Sequence, residues 1–180
     1  LVPLINQKQK EMKLLTKLMI FAVAIVTMAS CLSTEDMEEV TRTEAQELAE
    51  LEVYLDTLQN RGLDIDTTAL GVYYVVDSAG FGPYPAIGDT CVVKYDGFLM
   101  NGMLFDSSSS HNTEGTFEFV MDDSAFIRGW TDGMRVINEG ALVYLFIPSE
   151  YGYGATGSYT IGPYQTLIFI IEMVDIKQAY

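Results

Sequence analysis

Histidine, cysteine and basic side chains are all scarce in this chain of 180 residues. One histidine, His111, cannot build a multi-histidine metal centre, and the two cysteines, Cys31 and Cys91, fit no zinc-ligand spacing. Only 10 lysines and arginines face 25 aspartates and glutamates, a formal charge of −15. That balance argues against a nucleic-acid partner, since phosphate binding needs a basic footprint, and against adsorption to anionic lipid. Familiar catalytic patterns fail as well. Asp106, Ser107 to Ser110 and His111 hold the letters of a hydrolase triad, but they run consecutively in a polar loop with no G-x-S-x-G elbow. Gly152 to Gly157 match G-x-G-x-x-G, yet Ser158-Tyr159-Thr160-Ile161-Gly162-Pro163 cannot start the helix that would hold a pyrophosphate. Asp122 and Asp123 are adjacent in a turn, where two carboxylates seldom converge on one substrate. Neither a metal nor a cofactor is expected.

What is present begins with an export signal. Lys13 and Lys17 precede the apolar run Leu18 to Val26, and Met28-Ala29-Ser30 places small residues before Cys31. The run is shorter than the ~20 residues of a spanning helix. This layout resembles a signal peptide over 1–30 ending in a bacterial lipobox, with Cys31 acylated as the new N-terminus. It implies a lipid-anchored protein of the cell envelope, on the outer membrane and facing the periplasm or the surface. The alternative is an ordinary signal peptide with an incidental cysteine. Met12 is a natural start, which sets residues 1–11 upstream of it. Cleavage takes Glu11 and four lysines from the 25 acids and 10 bases, leaving 24 against 6, a charge of −18. Such a surface is simply well solvated. Cys91 then lacks a partner and, within Thr90-Cys91-Val92-Val93, reads as a small buried hydrophobe.

Residues 31–42 are polar and acidic and read as a lipidated tether, loosely similar to sorting signals for surface display. Thr43 and Gln46 fit a capping box, Leu48, Leu51, Leu55 and Leu58 recur at helical spacing, and Gly62 closes the run. A helix over 43–62 follows. Its stripe packs on its own domain or, alternatively, pairs with a second copy as a homodimer helix. From Gly71 the pattern turns to strands: 72–76, 90–100, 103–106, 116–121, 141–147 and 166–176. Asn101-Gly102 is a type I′ hairpin signal. One helical stretch, Ile127 to Val136, interrupts them. The class is α+β, with an antiparallel sheet packed on one short helix over 63–180, preceded by a separate N-terminal helix.

Aromatic residues are spread over nearly every element, and in most proteins such residues are core. Their local contexts are more specific. Thr90-Cys91-Val92-Val93-Lys94-Tyr95-Asp96-Gly97, Phe105-Asp106-Ser107-Ser108 and Phe117-Glu118-Phe119 come first, followed by Ile127-Arg128-Gly129-Trp130-Thr131-Asp132-Gly133-Met134. Ile147-Pro148-Ser149-Glu150-Tyr151-Gly152-Tyr153-Gly154 and Thr166-Leu167-Ile168-Phe169 complete the series. Together they make residues 71–177 resemble an FKBP domain, the tacrolimus-binding immunophilin family of peptidyl-prolyl cis-trans isomerases.

The resemblance implies a half-barrel sheet wrapped on the short helix, with a pocket between them. It makes Trp130 the pocket floor, with Tyr95, Phe105, Phe117 and Phe169 as apolar walls and Ile127, Phe126 and Ile161 towards the rim. Asp106 is the carboxylate near the pocket, while the Tyr153 hydroxyl and the Ile127 N–H are donors to a substrate carbonyl. Asp106, Tyr153, Trp130, Phe169 and Tyr95 are thus the expected catalytic set, and Phe105, Phe117, Phe126, Ile127 and Ile161 the expected substrate contacts. Expected partners are proline-containing polypeptides of exported proteins and macrolides such as tacrolimus. A non-catalytic peptide-binding or chaperone module on the same fold is the alternative. Three departures stand out. No arginine occurs in residues 109–116 to support the aspartate, Phe126 is larger than the usual rim residue, and the 158–163 loop lacks the usual adjacent histidine-proline pair.

Overall fold

The computed structural model describes residues 42–122, 124 and 126–179. The expected signal peptide, Cys31 and all but the last residue of the tether therefore lie outside the described residues. Helix α1 spans Glu44–Asn60. Its start is a true capping box, with Gln46 N–H donating to Thr43 Oγ1 (3.3 Å) and Thr43 N–H to Gln46 Oε1 (2.9 Å). At its end Gly62 takes a left-handed φ of 85°, which lets its own N–H and that of Leu63 return to the Gln59 and Leu58 carbonyls.

The buried stripe of α1 differs from the expected leucines in one member. Leu51, Tyr54, Leu55 and Leu58 are buried, whereas Leu48 is 47% exposed. In the first turn the inward place belongs instead to Glu47, four residues before Leu51, where three hydrogen-bond donors meet it. The stripe is therefore used within its own domain.

Strands β1 (Asp66–Thr67), β2 (Tyr73–Ser78), β3 (Thr90–Leu99), β4 (Leu104–Ser107), β5 (Phe117–Val120), β6 (Leu142–Ile147) and β7 (Leu167–Lys177) form one sheet. Its order is β1-β2-β6-β7-β3-β4, with β5 also paired to β3, and every pairing is antiparallel. β4 and β5 share one edge of β3, the first along Asp96–Phe98 and the second along Thr90–Val93. β1 is an addition to the expected strands. Its two exposed residues carry no hydrophobic alternation and exist as a strand only by pairing with Tyr73 and Tyr74.

The hairpin between β3 and β4 also departs from expectation. A type I′ turn needs positive φ at both central residues, and of Asn101 and Gly102 only Gly102 has it, at 83°. Gly102 N–H donates to the Leu99 carbonyl, so Met100 and Asn101 are the central pair and Gly102 follows them. Asn101 Oδ1 accepts the Met103 N–H (2.9 Å), the local side-chain bond that favours this turn.

β6 is covered on both faces, which explains why Leu142 to Ile147 is an apolar run rather than an alternation. Tyr144 and Phe146 lie on the α1 side, where the Tyr54 ring meets Phe146 at 5.8 Å. Val143, Leu145 and Ile147 point into the main core, beneath helix α2 (Arg128–Met134). That helix presents two glycines one turn apart to β6. A Cβ on Gly129 would lie 2.2 Å from Ile147 Cγ2, and one on Gly133 would lie 2.3 Å from Leu145 Cδ1. Glycine costs a helix roughly 1 kcal/mol per residue, so close contact must offset it here.

Two outcomes follow. Gly133→Ala should lose about 1–3 kcal/mol of stability by overpacking, measured by urea unfolding. Gly162→Ala, which meets nothing within 4 Å and has no left-handed φ, should stay within about 0.5 kcal/mol. Equal effects would defeat the close-approach account. The second concerns Tyr54, whose phenol is pushed up to about 12, chiefly by burial. Its folded state holds a proton that the unfolded chain releases above pH ~10, so this contribution is full below that pH and lost as pH rises towards 12. Tyr54→Phe should therefore flatten the fall in stability between pH 9 and 11, by about 1.4 kcal/mol at one unit above the unfolded value.

Candidate active site

A cleft of about 370 Å³ opens where α2 faces β3, β4, β5 and the start of β7. Strand alternation supplies its walls. On β3 the residues Cys91, Val93, Tyr95 and Leu99 are the inward ones, and on β7 Leu167, Phe169, Ile171 and Met173 are. Gly97 pairs with Phe169 on one side and Asp106 on the other. A Cβ there would stand 2.8 Å from Phe105 Cζ and 3.0 Å from Phe169 Cε1, so glycine is what lets those rings close over the strand.

The rings meet edge to face. Trp130, 4% exposed, lies 4.9 Å from Phe169 and 5.2 Å from Tyr95 between ring centroids. Phe105 packs on Phe169 at 5.4 Å, and Phe117 on Tyr95 at 5.9 Å. Phe126 reaches the same cluster through Phe119 at 5.0 Å and Phe117 at 6.2 Å. Such pairs add about 0.5–1.5 kcal/mol each beyond burial and fix ring orientation. The buried Trp130 Nε1 has no hydrogen-bond partner among the described residues, so the indole acts here as apolar surface.

Polar groups are few. Asp106 Oδ2 accepts the Tyr95 hydroxyl (2.7 Å), and Oδ1 accepts the Ser107 N–H (2.8 Å). Burial first, then the hydrogen bond and charge of Asp106, hold the Tyr95 phenol well above its ordinary range. Tyr153, 37% exposed, is raised by burial first and then by the charge of Asp106. Both phenols are thus donors at any physiological pH. Ile127 precedes α2 with extended backbone (φ −59°, ψ 142°), and the first donors of a helix have no intrahelical acceptor.

The structure brings together Tyr95, Phe105, Asp106, Phe117, Phe126, Ile127, Trp130, Tyr153 and Phe169 around this cleft. Ile161, expected towards the rim, is buried with the core and stands outside the lining set. One lining residue was missed by sequence reasoning. His111 follows a short 3-10 turn, Ser108–Ser110, and its Nε2 lies 2.9 Å from Tyr95 Oη and 3.3 Å from Asp106 Oδ1. The Tyr95 hydroxyl has one proton and gives it to Asp106, so His111 must donate from Nε2. A lone histidine in a serine-rich loop carried no signal of its own that it would stand beside Asp106 and the Tyr95 hydroxyl.

Comparison with known proteins gives a consistent result. A family model for FKBP-type peptidyl-prolyl cis-trans isomerase matches residues 82–174. The FKBP-type peptidyl-prolyl cis-trans isomerase FkpA of Escherichia coli is 37% identical over 115 residues, 64% of this chain and 41% of its own length. Outer membrane protein MIP of Legionella longbeachae is 34% identical over 110 residues, 61% of this chain and 46% of its own. The chain thus spans less than half the length of these curated relatives. Among solved structures, a peptidyl-prolyl cis-trans isomerase from Pseudomonas syringae aligns with a TM-score of 0.62 at 28% identity, covering 82% of this chain and 100% of that one. The crystal structure of FkpA from Escherichia coli aligns with a TM-score of 0.59 at 28% identity, over 98% and 91% respectively. With this sheet, this helix and the family match over more than half its length, the chain belongs to the FKBP-type peptidyl-prolyl cis-trans isomerase family.

Proposed function

We propose that this protein catalyses cis-trans isomerisation of Xaa-Pro bonds in exported polypeptides, using Asp106, Tyr153, Trp130, Phe169 and Tyr95 as its catalytic set. The observation that carries this is one carboxylate, fixed by a phenol at 2.7 Å, at the side of a cleft otherwise walled by rings. Rotation about the amide faces a barrier of ~18–20 kcal/mol because resonance is lost on the way. The planar amide is strongly polar, and the twisted one is less so. An apolar cradle that excludes water therefore favours the twisted form, and each 1.36 kcal/mol gained is about tenfold in rate. Tyr153 and the Ile127 N–H hold the carbonyl, while Phe105, Phe117 and Phe126 grip the proline side. The chemistry calls for no metal or cofactor.

Location and partners form the rest of the proposal. Cleavage before Cys31 and acylation of that cysteine would tether residues 43–180 to the outer membrane, with proline-containing clients and tacrolimus-like macrolides sharing the cleft. The envelope assignment is supported by the printed name of the Legionella relative, an outer membrane protein. A homodimer through residues 43–62 has little to recommend it, because the apolar stripe of α1 is buried on its own sheet. A binding module without catalysis is the second reading. It is favoured only by Phe126, whose bulk packs edge-on against both Phe119 and Phe117 at the cleft.

Protease-coupled isomerisation of a Leu-Pro peptide by the full chain separates the two. Acceleration is expected, with kcat/KM falling about 10- to 100-fold in an Asp106→Val, Tyr153→Phe double variant. No acceleration by folded protein that still binds the peptide would leave the binding module. His111 gives a further outcome. His111→Gln, which keeps a hydrogen-bond donor, should retain more than about half of the activity, and His111→Ala should lose several-fold. Equal activities would show that the Tyr95–Asp106 pair needs no support.

A further inference from the structure

Glu47 is the most unusual charged group outside the cleft. It is 1% exposed in the first turn of α1, and it has no cationic partner within 4.0 Å among the described residues. Its oxygens instead accept the Ser149 N–H (2.6 Å), the Thr166 hydroxyl (2.7 Å) and the Ser149 hydroxyl. Burying a carboxylate without a countercharge is costly, and it is tolerable only when donors converge on it. Ser149 follows the end of β6 and Thr166 precedes β7. One carboxylate thus clips together both ends of the loop that carries Tyr153.

A second arm leaves the same end of α1. Arg42 Nε donates to the Tyr164 carbonyl (2.7 Å), while its Nη2 pairs with Glu50 on the helix (2.6 Å). Tyr164 is held at a left-handed φ of 51°, unusual for a residue other than glycine. Its N–H donates to the Gly154 carbonyl (2.9 Å), and the Gly154 N–H donates to the Ser149 carbonyl (2.9 Å). Both arms, one through Ser149 and one through Tyr164, therefore end on the residue beside Tyr153.

We propose that the N-terminal turn of α1, through Glu47 and Arg42, is a positioning device that sets the Tyr153 hydroxyl over the isomerase cleft. Glu47 and Arg42 touch no substrate and act through the loop. The catalytic unit then starts at Arg42 rather than at the first strand, and any pull on the chain before Arg42 is felt at Tyr153. The activity side of this proposal rests on the isomerase reading, whereas the geometric side does not.

The test uses the full chain with Glu47→Ala, Glu47→Gln and Arg42→Ala, each alone and combined with Tyr153→Phe. Amide exchange read residue by residue should show Gly154 losing about tenfold or more of its protection in Glu47→Ala, with the β3–β7 amides unchanged. Should Glu47→Ala fail to fold, Arg42→Ala on the outer arm is expected to loosen Tyr164 and Gly154 in the same manner. In the isomerase assay Glu47→Ala should lower kcat/KM about 5-fold where Tyr153 is intact, and under about 2-fold in the Tyr153→Phe background. Glu47→Gln, which keeps one acceptor, should restore part of the loss. Unchanged exchange at Gly154, or equal activity losses in both backgrounds, overturns the positioning role. Variants that loosen Gly154 as expected, in a parent that isomerises nothing, would uphold the device and sink the isomerase reading alone.

Discussion

The close approach of α2 to β6 is the constraint from which the cleft follows. Gly129 and Gly133 present no side chain to Ile147 and Leu145, so the helix axis comes nearer to the strand than any larger residue permits. A helix seated that low carries its adjoining face, with Trp130 and Met134, into the core against the sheet. Without that depth the indole would stand above the rings of β3 and β7 rather than among them. Two helix-weakening glycines in seven residues make no local sense, and they become intelligible only as a tertiary requirement.

Once the floor is set, the remaining problem is polarity. An apolar cradle that excludes water would be spoiled by an unpaired carboxylate, since a stray charge attracts water and can shift. Asp106 avoids this by taking the Tyr95 hydroxyl on one oxygen and the Ser107 N–H on the other, with His111 backing the phenol. Burial first, and then the hydrogen bond and charge of Asp106, keep the Tyr95 phenol protonated. The cleft is therefore apolar over its ring-lined walls and polar along one edge, and the two regions do not mix.

Much of this was legible in the sequence, and the reasons differ by element. The capping box, the closing Gly62, the long strands and the short helix all follow from local pattern, because propensity and tertiary demand agree there. Cys91 likewise sits buried as a strand residue, with its thiol pushed up to about 11 chiefly by burial. Leu48 was misplaced because periodicity counts apolar letters, and the inward position at that turn went to an acid with three donors. Asn101-Gly102 was misread because its side chain bonds locally, a choice between turn types that the dipeptide alone does not settle. His111 was invisible for another reason. Its role depends on where a loop returns in space, and nothing in a run of serines encodes that. The two-residue β1 belongs to the same class, a strand made by its neighbour.

The cleft's walls and its one loop-borne donor are held by different means, and this difference decides where the sequence can vary. Tyr95, Phe105 and Phe169 stand on paired strands, so their positions are averaged over many backbone bonds and tolerate the loss of any one. Tyr153 has no strand beneath it. Its loop lies between β6 and β7 and is fixed by a handful of side-chain contacts: Glu47 at both ends, Arg42 through Tyr164, and Arg128 lying over the Tyr151 ring at 5.5 Å. A hydrogen bond weakens steeply once its angle or length departs from the narrow productive range, so a donor on such a loop needs external bracing more than an apolar wall does. This is why a helix outside the sheet carries a buried acid. The sheet can shape an apolar surface unaided, but aiming one hydroxyl requires a fixed point beyond the loop itself, and α1 is the element that provides it.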